Sequence, residues 1–167
     1  MYYFAYGSNM SLPRLQARLS FVEKVTTCQL KNHRLTFNML SKDGSGKCNI
    51  VSCEQGSFVL GVLFKIAPDE RDKLDSFEGF GSCYTRREVE LHLPNNDTRR
   101  AFTYFALRTE ESVKPYGWYK HHVFHGAAEA CLPESYIQSI KSVQDIKDED
   151  ISRHQREMSI YSKIAKA

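Results

Sequence analysis

Two features of this chain carry the residue types of catalysis: a Gly7-Ser8-Asn9 corner near the N-terminus, and a glutamate, Glu78, set at the end of a short helix. Tyr2 to Tyr6 is an uncharged, aromatic-rich run of strand length that stops on the corner. Ser11 to Leu19 follows as a helix, with Leu12, Leu15 and Leu19 at helical spacing and Pro13 in the first turn. A strand, a turn and a helix start in so few residues leave backbone N–H groups pointing outward without partners. Such a corner can cradle a carboxylate or a developing oxyanion. The same three residues can equally do no more than turn the chain.

Glu78 closes the segment Leu74-Asp75-Ser76-Phe77-Glu78-Gly79. A helix C-terminus carries partial negative charge and favours Lys or Arg in its last turn. Here Asp75 and Glu78 stand there instead, directly before a glycine stop. The dipole and the neighbouring carboxylate both disfavour ionisation, which makes the carboxyl a better proton acceptor. Broken local rules without visible compensation gather at functional sites, although most helix-end glutamates are solvated.

The elements that must hold these residues follow from periodicity. Phe21 to Leu30 and His33 to Leu40 read as strands joined through Lys31-Asn32 as a hairpin. Residues 41–47 form a polar, glycine-bearing loop, expected to be the flexible insertion of the fold. Cys48 to Cys53 is a short strand, and Phe58 to Ile66 a strongly apolar one in which Gly61 marks a bulge or a close backbone approach. Pro68 opens the helix that ends at Glu78. Tyr84 to Leu93 and Arg99 to Leu107 are strands connected by Pro94-Asn-Asn-Asp97. Two helices follow, Trp118 to Ala130 and Pro133 to Val143. The charged segment beyond Asp145, with Ile151, Met158, Tyr161 and Ile164, reads as a loosely docked or fraying helix or tail. The division expected is therefore a domain over 1–145 and a C-terminal helix or tail over 146–167. Hairpin-spaced strands with helices inserted between them predict an α+β class with a mostly antiparallel, barrel-like mixed sheet. Irregular alternation and the lack of a Gly-x-Gly-x-x-Gly disfavour a dinucleotide-binding sheet.

Composition bounds the function further. The chain has 167 residues, 41% hydrophobic and 26% charged, ordinary values for one soluble globular domain. A net charge of +3, spread along the chain, gives no argument for nucleic acid. Five cysteines without a Cys-x-x-Cys pair suggest neither a disulfide framework nor a zinc site. With no signal-type N-terminus and no apolar run long enough to cross a membrane, a reduced cytoplasmic location is expected. His121 and His125 lie one helical turn apart, but no carboxylate or cysteine completes a metal set, so no metal is expected. Cys83 has no histidine in a partner position and reads as a half-buried thiol. Arg86-Arg87 and Arg99-Arg100 fall on strand ends, where one could meet a substrate carboxylate and solvation explains them equally well.

Four segments, in order, resemble the γ-glutamylcyclotransferase family and its AIG2-like relatives. They are Tyr3-Phe-Ala-Tyr-Gly-Ser-Asn-Met10, then Gln29-Leu-Lys-Asn-His-Arg-Leu-Thr-Phe37, then Gly61-Val-Leu-Phe-Lys65 with Leu74-Asp75-x-x-Glu78-Gly79 and Tyr84, and finally Tyr119 with Gly126-Ala127-x-Glu129-x-x-Leu132-Pro133-x-x-Tyr136. The resemblance implies a small barrel-like fold with a cavity at one end. It implies an enzyme that cleaves a γ-glutamyl amide by internal cyclisation, releasing 5-oxoproline and a free amine or amino acid, within glutathione metabolism. Carried over by position, Tyr6, Gly7, Ser8 and Asn9 would hold the glutamyl part, Glu78 would be the acid/base, and Tyr84 and Tyr119 would line the pocket. No cofactor is implied, and the partner is a small γ-glutamyl molecule acted on by a monomer or homodimer, with no membrane or nucleic acid involved. The chain departs from the family at Lys114-Pro-Tyr-Gly-Trp-Tyr119, where a Pro-Ser step is usual, and at Cys48-Asn49, where small residues are common. Both departures bear on the leaving group. They keep open a γ-glutamylamine cyclotransferase, an enzyme that removes a γ-glutamyl protecting group, or a silent binding module.

Overall fold

The computed structural model describes residues 1–162. Seven strands form two sheets. Strands β1 (Tyr2–Ala5), β2 (Val22–Lys31), β5 (Phe58–Ile66), β6 (Tyr84–His92) and β7 (Thr98–Ala106) close into a ring in the order β1-β5-β2-β6-β7. The neighbours are antiparallel except β1 and β7, which close the ring in parallel through the pair Tyr3 and Phe102. The remaining two strands, β3 (His33–Leu40) and β4 (Gly46–Ser52), pair with each other in a separate ribbon, and β3 adds an isolated bridge from Met39 to Thr109. Helices α1 (Leu12–Gln16), α2 (Glu70–Glu78), α3 (Gly117–Glu129), α4 (Glu134–Lys141) and α5 (Ile151–Ser162) complete the α+β architecture. None of the described helices is long and apolar enough to cross a membrane.

β5 is the spine of the ring because it is apolar on both faces: Val59, Val62, Leu63 and Phe64 are fully buried between β1 and β2. Gly61 sits where a Cβ would lie 2.3 Å from the carbonyl oxygen of Ala5 and 2.6 Å from the Phe4 ring, so the expected close backbone approach is real. Gly61→Ala should therefore cost about 1–3 kcal/mol through forced displacement of β1, read as a lower denaturation midpoint at unchanged m-value.

One local expectation fails. β2 and β3 do not form a hairpin; they belong to different sheets. Asn32, at a positive φ of 57°, turns the chain out of the ring rather than back along it. Its N–H bonds to the Ser57 carbonyl and its carbonyl accepts from Cys53, so the β4–β5 connection takes the groups a hairpin partner would have used. The two strands had convincing apolar patterns, but pattern does not name a partner. The β6–β7 hairpin forms as expected around Asn96, with Leu93 N–H bonded to the Asp97 carbonyl.

The helices pack behind the first corner. Gly126 of α3 lies so close that a Cβ there would stand 2.3 Å from the Ser11 backbone nitrogen. α5 covers the seam between α1 and α3 through Arg14–Glu157 (2.5 Å) and a His122–Glu157 contact (3.1 Å). Residues 163–167, including the Ile164 of the expected tail helix, lie outside the described residues.

Candidate active site

The corner after β1 is a 3₁₀ turn, Ser8–Met10, with Ser8 and Asn9 buried. Met10 and Ser11 N–H groups bond back to the carbonyls of Gly7 and Ser8. Among the described residues no protein acceptor takes the N–H groups of Gly7, Ser8 and Asn9, so the expected row of open donors is present. A Cβ on Gly7 would stand 2.9 Å from Cys48 Cβ; the glycine lets β4 close over the corner.

Glu78, about seventy positions away in sequence, faces this corner. Its Oε1 accepts from Asn9 Nδ2 (2.9 Å) and Arg18 Nη1 (3.1 Å), and Arg18 also donates to Asn9 Oδ1 (2.9 Å). Asn9 Nδ2 further reaches the Tyr3 hydroxyl at 3.1 Å. Side-chain exposure is 16% for Glu78 and 17% for Arg18, so the pair borders solvent without being immersed in it. Arg18 is the compensation that the helix-end pattern seemed to lack. Asp75, expected to press on Glu78, turns away instead, accepting from the Tyr104 hydroxyl (2.6 Å) and lying 3.0 Å from Arg86. Each carboxylate of this helix end thus has its own cation, brought from a different element.

The three tyrosines named by position are all buried, and they are not equivalent. Tyr6 donates to the Tyr104 carbonyl and Tyr84 to the Cys48 carbonyl, both at 2.6 Å. Tyr119 instead accepts, from the Cys48 backbone N–H at 2.9 Å, and among the described residues no backbone carbonyl takes its own proton, which lies near the Cys48 thiol. Burial holds all three phenols well above their ordinary range, and it pushes the Cys48 thiol up to about 12. These groups are neutral donors and acceptors near neutral pH, and Cys48 is not a thiolate nucleophile.

Two adjoining hollows are bordered by both the acid and the corner. The inner, of about 30 Å³, is lined by Tyr3, Tyr6, Gly7, Ser8, Asn9, Cys48, Glu78, Tyr84, Tyr104 and Tyr119. The outer cleft, of about 300 Å³, shares Ser8, Glu78, Tyr84 and Tyr119 with it and adds Arg18, Met39, Ser41, Lys42, Lys47, Ser76, Phe77, Gly79 and Cys83. All seven residues carried over from the resemblance therefore line this one space. A larger groove of about 500 Å³ lies between β3 and α4 and contains none of them.

The other candidates fall elsewhere. His121 and His125 pack around the ring of Tyr161, His125 at 4.1 Å between centroids. Cys83 edges the outer cleft, its sulfur against the Gly79 turn. None of Arg86, Arg87, Arg99 and Arg100 lines either hollow. Of the departing segments, Cys48 and Tyr119 line the inner hollow, Asn49 is buried in a hydrogen bond with Asn38 (3.1 Å), and Lys114 and Pro115 face the separate groove. Arg18, Tyr3, Tyr104 and Lys47 are site residues that the sequence reading missed. Only the alternation of β1, which puts Tyr3 on one face with Ala5, offered a signal for any of them.

The sequence profile of the AIG2-like family matches residues 58–140. Human "Gamma-glutamylcyclotransferase" is 27% identical over 147 residues, covering 85% of this chain and 78% of the relative. A solved structure described as "Gamma-glutamyl cyclotransferase" superposes with a TM-score of 0.83 at 24% identity, over 100% of this chain and 99% of the other. A human protein described as uncharacterized superposes with a TM-score of 0.80 at 26% identity, over 91% and 95% of the two chains. In sequence and in fold, then, the chain is similar to γ-glutamylcyclotransferase, and its residues 58–140 to the AIG2-like family.

Proposed function

We propose that this protein is a γ-glutamylcyclotransferase that cyclises a γ-glutamyl amino acid or amine to 5-oxoproline and the free amine, with Glu78 as acid/base. The observation that carries the proposal is that Glu78 and the open N–H groups of Gly7, Ser8 and Asn9 border one hollow. The substrate's α-amino group is mainly ammonium at neutral pH and must lose a proton before attacking its own γ-carbonyl. Glu78 Oε1 is held by Asn9 and Arg18, which leaves Oε2 to take that proton and later deliver it to the departing nitrogen. The N–H groups of the corner receive the oxyanion that forms on the γ-carbonyl oxygen, each well-placed donor supplying on the order of 3 kcal/mol. Nucleophile and electrophile belong to one molecule, so holding the glutamyl chain in a ring-closing pose supplies up to roughly 7–11 kcal/mol. Tyr119, whose proton no backbone carbonyl takes among the described residues, is the phenol placed to donate to the substrate, while Tyr6 and Tyr84 hold the walls through backbone carbonyls. The reaction as drawn draws every proton transfer from Glu78 and asks for no cofactor. A cytoplasmic setting and a place in γ-glutamyl and glutathione metabolism accord with five free cysteines.

The test is release of 5-oxoproline from a panel of γ-glutamyl amino acids and γ-glutamylamines by the purified protein, followed by mass spectrometry. Turnover of neither class would leave only the fold and a silent binding role. Tyr119→Phe should lower kcat/KM by about tenfold, the scale of one hydrogen bond to substrate. An unchanged kcat/KM would remove Tyr119 from the site.

A further inference from the structure

The inner hollow has no cation in its lining; Glu78 is its one charged group. A carboxylate placed there would meet neutral N–H and O–H donors alone. The outer cleft differs: Arg18, Lys42 and Lys47 stand in its wall against a single carboxylate, Glu78. Arg18 is matched by Glu78 at 3.1 Å. The two lysines come from the β3–β4 connection and the start of β4.

Their surroundings fix them there. Lys47 Nζ bonds to Asp43 at 2.9 Å, and Asp43 stands behind it, outside the cleft lining. The rings of Trp118, Tyr119 and Tyr116 surround the same ammonium at 4.9, 5.0 and 5.4 Å, holding it as a cation beside the Tyr119 hydroxyl that closes the inner hollow. Lys47 Nζ reaches both Asp43 carboxylate oxygens, at 2.9 and 3.3 Å, and Ser45 Oγ, so a substrate carboxylate would share the hydrogen directed at the longer of the two Asp43 contacts. Lys42 is exposed at the mouth and makes no ion pair among the described residues. With Arg18 matched by Glu78 and Lys47 by Asp43, the cleft keeps one positive charge in excess, that of Lys42, and low-dielectric walls strengthen the field such a charge exerts.

We propose that Lys42 and Lys47 make the outer cleft sort γ-glutamyl substrates by the negative charge on the departing amine. A departing amino acid is favoured over a neutral amine, and an acidic amino acid over both. Lys47, the deeper lysine, meets the α-carboxylate next to the scissile bond. Lys42, at the mouth, meets a second carboxylate farther out. This rests on the cyclotransferase reading above.

The experiment compares kcat/KM at low ionic strength for γ-glutamyl-ethylamide, γ-glutamyl-alanine and γ-glutamyl-aspartate. The wild type should prefer the alanine compound over the ethylamide by about tenfold and the aspartate compound by a further factor of about three, the scale of partly screened ion pairs. Raising the salt concentration should compress both steps. Lys42→Gln, an exposed change with no structural task, should flatten the second step. Lys47→Gln should flatten the first. A charge-independent order in the wild type overturns the inference, as does a Lys47→Gln protein that loses activity on all three substrates in proportion and keeps their ratios. Release of 5-oxoproline in such a flat order overturns this inference alone; its absence from all three overturns the cyclotransferase reading too.

Discussion

Glu78→Gln is expected to fold normally and to lose at least about two orders of magnitude in kcat, the usual scale for removal of a general base. The amide oxygen of glutamine can still accept from Asn9 Nδ2 and Arg18 Nη1, so the ring of contacts that positions the side chain survives. What disappears is the capacity to take the ammonium proton and return it to the departing nitrogen. Glu78→Asp keeps that capacity but withdraws the carboxylate by one methylene, and a misplacement of about 1 Å can cost about a hundredfold. Both variants should therefore be slow, for different reasons. Circular dichroism with a thermal midpoint close to wild type would certify the fold in each case. Near-normal turnover by Glu78→Gln would reject the assignment of the base.

The second large effect concerns stability. His122 is fully buried on α3, with Nδ1 2.6 Å from the Tyr161 hydroxyl and Nε2 3.1 Å from Glu157 Oε2. Because Glu157 only accepts, these partners assign the proton to Nε2 and leave Nδ1 to accept from Tyr161. Burial, reinforced by the nearby Arg14 charge, outweighs the bond to Glu157 and pushes His122 down to about 4 from 6.5. A folded value below the unfolded one means that the unfolded chain binds the proton more readily. The stabilising contribution is complete above pH 6.5 and drains away as the pH falls from 6.5 to about 4. Glu157 acts in the same sense at lower pH. Burial pushes its carboxyl up, but the His122 hydrogen bond and the Arg14 charge prevail and hold it at about 2, below its ordinary 4.5. Its contribution is lost as the pH falls from 4.5 toward 2.

Thermal unfolding should show the first of these steps as a loss on the order of 2–3 kcal/mol, roughly 5–10 °C, between neutral pH and the low end of the His122 window. His122→Gln should flatten that part of the curve. At neutral pH, Glu157→Ala should cost about 3 kcal/mol, because it strands Arg14, whose side chain is only 7% exposed. Arg14→Met on top of Glu157→Ala should recover part of that loss, since no buried charge is then left unpaired. A thermal midpoint indifferent to pH across the His122 window would show that the network does not bear on stability.

Strand positions were legible in the sequence wherever a run was apolar and bounded by turn residues. Phe58–Ile66 and His33–Leu40 were read to the residue, and the helix ending at Glu78 was stopped by Gly79, which sits at φ 66°. Pairing was not legible in the same way. The chain direction at Asn32 depends on whether Ser57 and Cys53 are there to take its N–H and carbonyl. Those residues lie more than twenty positions away, and no local pattern announces them. The seven residues carried over from the resemblance all proved to line one space, yet what each does there was decided by partners. Tyr84 and Tyr119 look alike in sequence, but one gives its proton to Cys48 and the other receives one from it.

The sequence by itself determined the elements and the corner: an apolar run, three turn formers and a helix start must leave N–H groups open, because local backbone geometry allows little else. It also set an acid at the wrong end of a helix. The tertiary structure decided which cation meets that acid. Arg18 reaches Glu78 because ring closure brings the segment after β1 against the end of α2, and charge–charge contact falls off with distance in space, to which separation along the chain is blind.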